Sequence, residues 1–158
     1  MCRFMLPPRL LLLFGEKIIF HDLCDGLAFD ILGRHTVFFD THSKKTMQYG
    51  VKVTLQNGKS LVYLGDEPYR EECAPYAAGA HYLMHEALCL ESQEEQFHPH
   101  RIQHSTVKDA ACCAAQLGAQ NLILHHTEDH QLALRKKEYT AEARQYFSGG
   151  IYVPDDLD

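Results

Sequence analysis

Residues 104–128 read HSTVKDAACCAAQLGAQNLILHHTE, and this stretch decides the fold class. Thr106 and Asp109 have the T-x-x-D spacing of a capping box, an alanine-rich run follows, and Gly118 stands where a helix would end. Residues 122–125 then form a short apolar run, which is typical of a buried strand. A capped helix that leads into a buried strand predicts an α/β protein.

The rest of the chain divides into a strand-rich part and a part in which helix and strand alternate. Before Asp66, strands are predicted at residues 17–21, 27–32, 35–40, 49–55 and 60–64. The dipeptide Asn57-Gly58 predicts a type I′ hairpin, because both central positions of that turn require positive φ. After Asp66, helices at 69–78, 106–117 and 132–146 alternate with strands at 82–85, 122–125 and 151–153, and the first helix should be irregular at Pro75. This order predicts a mixed β-sheet with helices on one face.

The bulk properties indicate one ordinary globular domain. The chain has 158 residues and a net charge of −6, so any RNA contact would come from a local patch or from a partner rather than from the surface as a whole. Its six cysteines form no C-x-x-C pair, which favours reduced thiols and a cytoplasmic location. The apolar run near the start is too short for a membrane span. We expect residues 1–15 to be a frayed start and 16–158 to form the domain.

Polar side chains with metal-binding chemistry follow three predicted strands. They are Asp66, the pair His85 and Glu86, and one of the vicinal His125 and His126, since strand alternation sends these two to opposite sides. Strand ends gather at one edge of an α/β sheet, so these groups could hold Zn²⁺ or Mn²⁺. Taken singly, an Asp such as Asp66 after a glycine is more often a turn residue or a helix N-cap than a metal ligand, and His85 could be a satisfied core histidine.

The start of the best helix predicts a different kind of site. Its residues His104, Ser105 and Thr106 bring backbone N–H groups and hydroxyls to the positive end of the helix dipole, an arrangement suited to phosphate. Plain helix capping explains the same residues equally well. Lys44 and Lys45 could likewise meet a phosphate, but a solvated turn is the favoured interpretation there.

Two further histidine patterns indicate no metal site. HEALC at residues 85–89 lacks the second histidine of H-E-x-x-H, and His98-Pro99-His100 lies in a polar loop.

Five segments together resemble one family, the metallo-β-lactamase-fold hydrolases of the ribonuclease Z type. They are FFDTHSKKTMQYG, LVYLGDEP, LMHEALC, residues 104–129 and IYVPDDL, and they occur in the family's order and spacing. The resemblance runs from about residue 16 to the end. It implies the carboxyl-terminal half of a metallo-β-lactamase αββα sandwich, with part of a two-metal zinc site in which manganese is possible.

The resemblance also implies roles for individual residues. Asp66 would be the metal-bridging carboxylate and His126, rather than His125, the last metal ligand. His85 and Glu86 would be catalytic, and His104, Ser105 and Thr106 would lie at the substrate phosphate.

Departures from the family pattern limit these expectations. The H-x-H-x-D-H motif is absent from the chain, so the ligand set is incomplete. We therefore expect a phosphodiester hydrolase, with RNA as a candidate substrate, that is weakly active as this chain alone and acts with a second copy or a complementing amino-terminal half. The alternatives are a non-catalytic binding or regulatory module of the same fold and a small-molecule phosphodiesterase of the superfamily.

Overall fold

A single mixed sheet forms the centre of the molecule. The computed structural model describes residues 19–128 and 130–155. The strands lie in the sheet in chain order, with β1 to β4 antiparallel and β4 to β7 parallel. They are β1 (Leu27–Ile31), β2 (Arg34–Asp40), β3 (Tyr49–Thr54), β4 (Ser60–Tyr63), β5 (Tyr82–Glu86), β6 (Asn121–His125) and β7 (Gly150–Tyr152). The predicted α/β class and mixed sheet are confirmed.

The helices belong to the crossovers that parallel strands require. They are α1 (Ala74–Ala77), α2 (Glu94–Phe97), α3 (Val107–Gln116) and α4 (Leu132–Ala143), with 3₁₀ turns at Glu71–Cys73, Glu91–Gln93 and Pro99–Ile102. The predicted capping box starts α3: Asp109 N–H donates to the Thr106 hydroxyl, and Thr106 N–H donates to the Asp109 carboxylate. None of the described helices combines the length and apolar character needed to cross a membrane.

The buried core lies between the sheet and these helices. Val62, Leu83 and Leu122 are directly opposite one another across β4, β5 and β6, and all three are fully buried. Small residues of α3, including Ala110 and Ala114, pack against them in the same cluster. The alanine-rich sequence of α3 thus allows a close approach of helix to sheet. This packing is the main hydrophobic stabilisation in the described part of the chain.

The opposite face of the sheet carries a second apolar row. Each strand contributes one residue, which lies directly opposite its counterpart on the neighbouring strand, and all seven residues remain at least partly exposed to solvent. We call this set the open row; it consists of Leu27, Phe38, Val51, Tyr63, Met84, Ile123 and Tyr152. A groove of about 630 Å³, lined in part by Tyr82, Ile123 and Tyr152, runs along its β7 end.

Some sequence predictions of local structure are wrong. Residues 69–78 form a 3₁₀ turn and the single-turn α1 instead of one helix; the irregularity expected at Pro75 is present, because Pro75 fits only the first turn of a helix. Residues 19–21 form no strand, and the remainder of the predicted 17–21 strand lies outside the described residues. The expected frayed start at 1–15 also lies outside them, so the domain boundary stays a prediction.

The type I′ geometry that the sequence predicted for one hairpin turn occurs in another. The β3–β4 hairpin is confirmed, but among its loop residues only Gly58 has positive φ, and its N–H donates to Leu55 O at 2.9 Å. This is a turn followed by a left-handed glycine rather than type I′. Positive φ at both central positions occurs instead at Leu32 (50°) and Gly33 (72°), between β1 and β2. Tight strand register forces Leu32 into that conformation against its own preference.

Candidate functional site

Three parallel strands deliver polar side chains to one edge of the sheet. Asp66 follows β4, Glu86 is the last residue of β5, and His126 follows β6. Gly65 makes the first turn possible, since its φ is +86° and a Cβ there would lie 3.3 Å from the Thr41 methyl group. His126 itself has φ +52°, an uncommon value for a residue other than glycine, and its Nδ1 lies 3.1 Å from Asp66 Oδ1. The carboxyl ends of β4, β5 and β6 therefore meet at one edge of the sheet, as the sequence predicted.

A cluster of three side chains forms the centre of the site. Asp66 Oδ1 lies 3.1 Å from His126 Nδ1 and 3.4 Å from His104 Nδ1. One ligand atom from each residue falls within 4.8 Å of the others. The two imidazole rings stack with centroids 4.9 Å apart. Because a carboxylate oxygen and imidazole nitrogens are ligands that Zn²⁺ accepts, this cluster is a candidate metal centre.

Glu86 lies directly behind this cluster and is fully buried. Its Oε1 accepts the Ser105 N–H at 2.6 Å, while Oε2 lies 3.4 Å from His104 Nδ1 and has no hydrogen-bond partner. Burial raises the pKa of the Glu86 carboxyl to about 7, although the hydrogen bonds from Ser105 act in the opposite direction. Glu86 can therefore hold or release a proton near neutral pH.

The start of α3 does not face outward as the sequence suggested. Ser105 and Thr106 are 2% and 0% exposed. The Ser105 N–H is taken by Glu86, and the Thr106 hydroxyl contacts both Glu91 and Asp109. The anions bound at this helix start are thus the protein's own carboxylates. Phosphate binding by Ser105 and Thr106 stays a prediction, and these contacts argue against it.

His85 and His125 lie away from the cluster. The His85 ring is 1% exposed, its Nδ1 lies 2.7 Å from the Glu86 carbonyl oxygen, and it lines a separate cavity of about 310 Å³ with Tyr69 and Asp109. Burial lowers the pKa of His85, and it lowers the pKa of His125 to about 4. The His125 ring packs at 5.1 Å from Tyr63. Among the described contacts none joins His85 to Asp66, so its catalytic role stays a prediction without support from the geometry.

Lys45 and Glu67 belong to the site, although the sequence analysis did not place them there. Lys45 was interpreted as part of a solvated turn, but its Nζ lies 3.1 Å from His104 Nε2 and donates to the Asp66 carbonyl at 3.3 Å. Glu67 is fully buried and accepts hydrogen bonds from Ser43 and Gln48. The sequence does contain a signal for this pair: the doublet Asp66-Glu67 follows an apolar strand. If the second acid is buried there, it needs a cationic partner.

The chain is similar to known proteins in both sequence and fold. Residues 21–127 match the family model described as the beta-lactamase superfamily domain. The chain belongs to that family. A metallo-β-lactamase-fold protein, YhfI from Bacillus subtilis, superposes with a TM-score of 0.68 over 85% of this chain and 52% of its own, at 18% identity. The short form of human tRNase Z superposes with a TM-score of 0.60 over 82% of this chain and 44% of its own, at 20% identity.

The similarity in sequence is to ribonuclease Z. The protein of that name from Bacillus cereus strain G9842 is 39% identical over 100 residues, which are 63% of this chain and 32% of the relative. The chain therefore spans about a third of the length of the curated relatives that it matches. It is a metallo-β-lactamase-fold, ribonuclease Z-like chain of a hydrolase family, as its sequence motifs indicated.

Proposed function

We propose that this chain forms part of a metal-dependent centre that hydrolyses phosphodiester bonds, with RNA as the substrate class. The convergence of Asp66, His104 and His126 within 4.8 Å is the observation that carries the proposal. Its position beyond the ends of parallel strands, in a chain similar to ribonuclease Z, supports it.

The side chains present fit a cation at this point. Asp66 Oδ1 and Glu86 Oε2 are both buried and lack a hydrogen-bond partner. A buried polar atom without a partner costs about 1–3 kcal/mol, so two such oxygens in one place favour a bound ion or water. Asp66 and His126 would hold the ion, and zinc or manganese suits this oxygen and nitrogen set. When bound, such an ion supplies Lewis acidity for attack on a phosphate ester.

The other groups of the site orient one another and handle protons. Ser105 N–H fixes the Glu86 carboxylate, and Glu86 in turn faces His104 Nδ1 at 3.4 Å. A carboxyl group with a pKa of about 7 can accept or return a proton at that nitrogen near neutral pH. Glu86 would therefore orient His104 and take part in proton transfer to the leaving group.

The number of ligands limits what the chain does alone. A catalytic zinc ion usually has at least three protein ligands, whereas only two members of the one candidate cluster in the described residues, Asp66 and His126, would hold the ion. We infer that this chain by itself binds metal weakly and turns over little. Further ligands would come from a second copy or from a complementing amino-terminal half that covers the open row.

A non-catalytic module of the same fold is the second candidate. The small ligand set favours it, whereas the presence of Asp66, Glu86, His104 and His126 together favours an enzyme.

The cysteines bear on the cellular location. The five cysteines in the described residues are all unpaired, which supports the cytoplasm.

The decisive experiment measures zinc binding and phosphodiester cleavage on the same preparations. The chain would be titrated with zinc and assayed with bis(p-nitrophenyl) phosphate and with precursor tRNA, alone and with an amino-terminal half from a related protein. We expect weak zinc binding alone, tighter binding with the complement, and cleavage only then. Cleavage of the small ester but not of RNA would indicate a small-molecule phosphodiesterase.

Matched variants connect the result to the site. His126→Gln and Asp66→Asn should weaken zinc binding at least about tenfold. His130→Gln and Asp30→Asn are the controls, since these side chains are 69% and 80% exposed outside the cluster. Metal binding without cleavage in the complemented protein would support the non-catalytic module. Stoichiometric zinc binding together with robust turnover by the chain alone would refute the inference that the isolated chain binds metal weakly and has little activity.

A further inference from the structure

The Lys45 side chain reaches into the site from the loop between β2 and β3. Its Nζ lies 3.1 Å from His104 Nε2, 3.3 Å from the Asp66 carbonyl oxygen and 3.7 Å from Glu67 Oε1. An ammonium group has three N–H donors and no lone pair. Two of these acceptors lie within hydrogen-bond distance of the ammonium, and Glu67 adds an ion pair. With a side chain that is 28% exposed, Lys45 is held in place rather than solvated as a free turn residue.

A buried carboxylate fixes the position of this ammonium. Glu67 is fully buried, and its Oε1 accepts the Ser43 hydroxyl at 2.7 Å and the Gln48 amide at 3.2 Å. Ser43 and Gln48 belong to the same loop as Lys45, so the carboxylate holds both the loop and its charge. Arg70 contributes more distantly, with its guanidinium 4.0 Å from Glu67 Oε2. A buried acid that is paired in this way is stable only with its cationic partner in place.

The ammonium decides which nitrogen of His104 carries the proton. Because Lys45 can only donate, His104 Nε2 must be the acceptor of that hydrogen bond. The proton of the neutral ring then sits on Nδ1, which lies 3.4 Å from both Asp66 Oδ1 and Glu86 Oε2. A protonated ring nitrogen cannot ligate a metal. Of the three clustered residues, His104 is then the proton donor, and Asp66 and His126 are left as ligands.

We infer that Lys45 is a positioning residue of this site, which sets the tautomer of His104 through its hydrogen bond to Nε2 and is itself anchored by Glu67. The inference rests on the proposed function for its consequence in catalysis. Its structural content, the location of one proton, holds for the metal-free protein and can be tested there.

The test is the nitrogen NMR of the histidine rings in metal-free protein at about pH 8, above the ordinary imidazole pKa of about 6.5. Long-range couplings to the ring carbon protons show which nitrogen is protonated, and His104→Asn identifies the His104 signals. We expect wild type to carry the His104 proton on Nδ1 alone. In Lys45→Met, Nε2 should become protonated, because its donor is gone and water can accept from it.

Two variants serve as controls. Lys45→Arg keeps a charged donor and should preserve the wild-type pattern, and Lys44→Met removes the neighbouring exposed charge without effect. Circular dichroism would verify that each variant is folded. A proton on Nε2 in wild type, or no change in Lys45→Met, overturns the inference. Neither outcome depends on zinc binding or cleavage, so failure of the proposed function would be recognised separately.

Discussion

At the scale of single residues, the candidate site brings several acids and imidazoles into a small volume with few hydrogen bonds to satisfy them. Glu86 shows the consequence most clearly. It is fully buried, and one of its oxygens is satisfied by Ser105 while the other faces His104 without a partner. An environment of this kind favours the neutral acid, and the raised pKa follows from it.

The raised pKa of Glu86 predicts a pH-dependent loss of stability. A carboxyl with a pKa of about 7 in the folded state and 4.5 as its ordinary value stabilises the fold fully below pH 4.5, and this contribution disappears as the pH rises through 7. Metal-free wild type should therefore lose up to about 3 kcal/mol of unfolding free energy relative to Glu86→Gln between about pH 4.5 and 8. Urea unfolding of both proteins across this range measures it, and a constant difference would contradict the prediction.

At the scale of elements, a local sequence pattern predicts structure correctly where all the contacts that it requires are made between near neighbours in the chain. The capping box of Thr106 and Asp109 forms as predicted because all its atoms belong to four consecutive residues. The Asn57-Gly58 turn differs because its loop closes one residue longer, with Leu55 N–H donating to Lys59 O. Strand register is a tertiary property, and it overrides the preference of a dipeptide.

The turn at Leu32 and Gly33 offers a stabilising substitution. Leu32 is 95% exposed and has φ +50°, a conformation that asparagine adopts more readily than leucine. Leu32→Asn should raise the free energy of unfolding by about 1 kcal/mol. Gly33→Ala, with φ +72° at that position, should lower it by a similar amount. Denaturant midpoints of the two variants and of wild type test this. Variant midpoints equal to that of wild type would show that the turn is not strained.

The two faces of α3 predict different thiol reactivity for adjacent residues. Cys112 is exposed, whereas Cys113 is 6% exposed and burial raises the pKa of its thiol to about 12. The thiolate is the reactive form, so at pH 8 an alkylating reagent should modify Cys112 and Cys24 well before Cys113 and Cys73. Peptide mass spectrometry against time follows the order, with denatured protein as the control. Equal rates in the folded protein would place Cys113 outside the core.

At the scale of the whole molecule, the sheet has one face covered by helices and one face that carries the open row. Val62, Leu83 and Leu122 on the first face are fully buried, while Tyr63, Met84 and others on the second are only partly so. Leaving such an apolar surface in water forgoes about 25 cal/mol per Å². This asymmetry motivates the proposal that a second layer covers the open row and completes the site beside it.

A charge in the open row should disrupt that association. Ile123→Lys should weaken self-association or binding of a complementing half by about tenfold or more, since an isoleucine buried at an interface contributes roughly 1.5–3 kcal/mol. Ile102→Lys is the control, because Ile102 is 50% exposed and lies outside the sheet. Sedimentation velocity gives the association. A wild-type chain that stays monomeric, melts cooperatively and binds no complement would contradict the prediction.

The sequence by itself determined the α/β class, the capped helix α3, the family, and the strand ends at Asp66, at the pair His85 and Glu86, and at His126. These features depend on periodicity and on contacts between near neighbours, which a sequence displays directly. Only the tertiary structure decided that Glu86 occupies the start of α3, that His85 lies in another cavity, and that Lys45 reaches His104 across 59 positions of chain. Such pairings depend on which loops meet at one edge of the sheet, and no local pattern encodes that meeting.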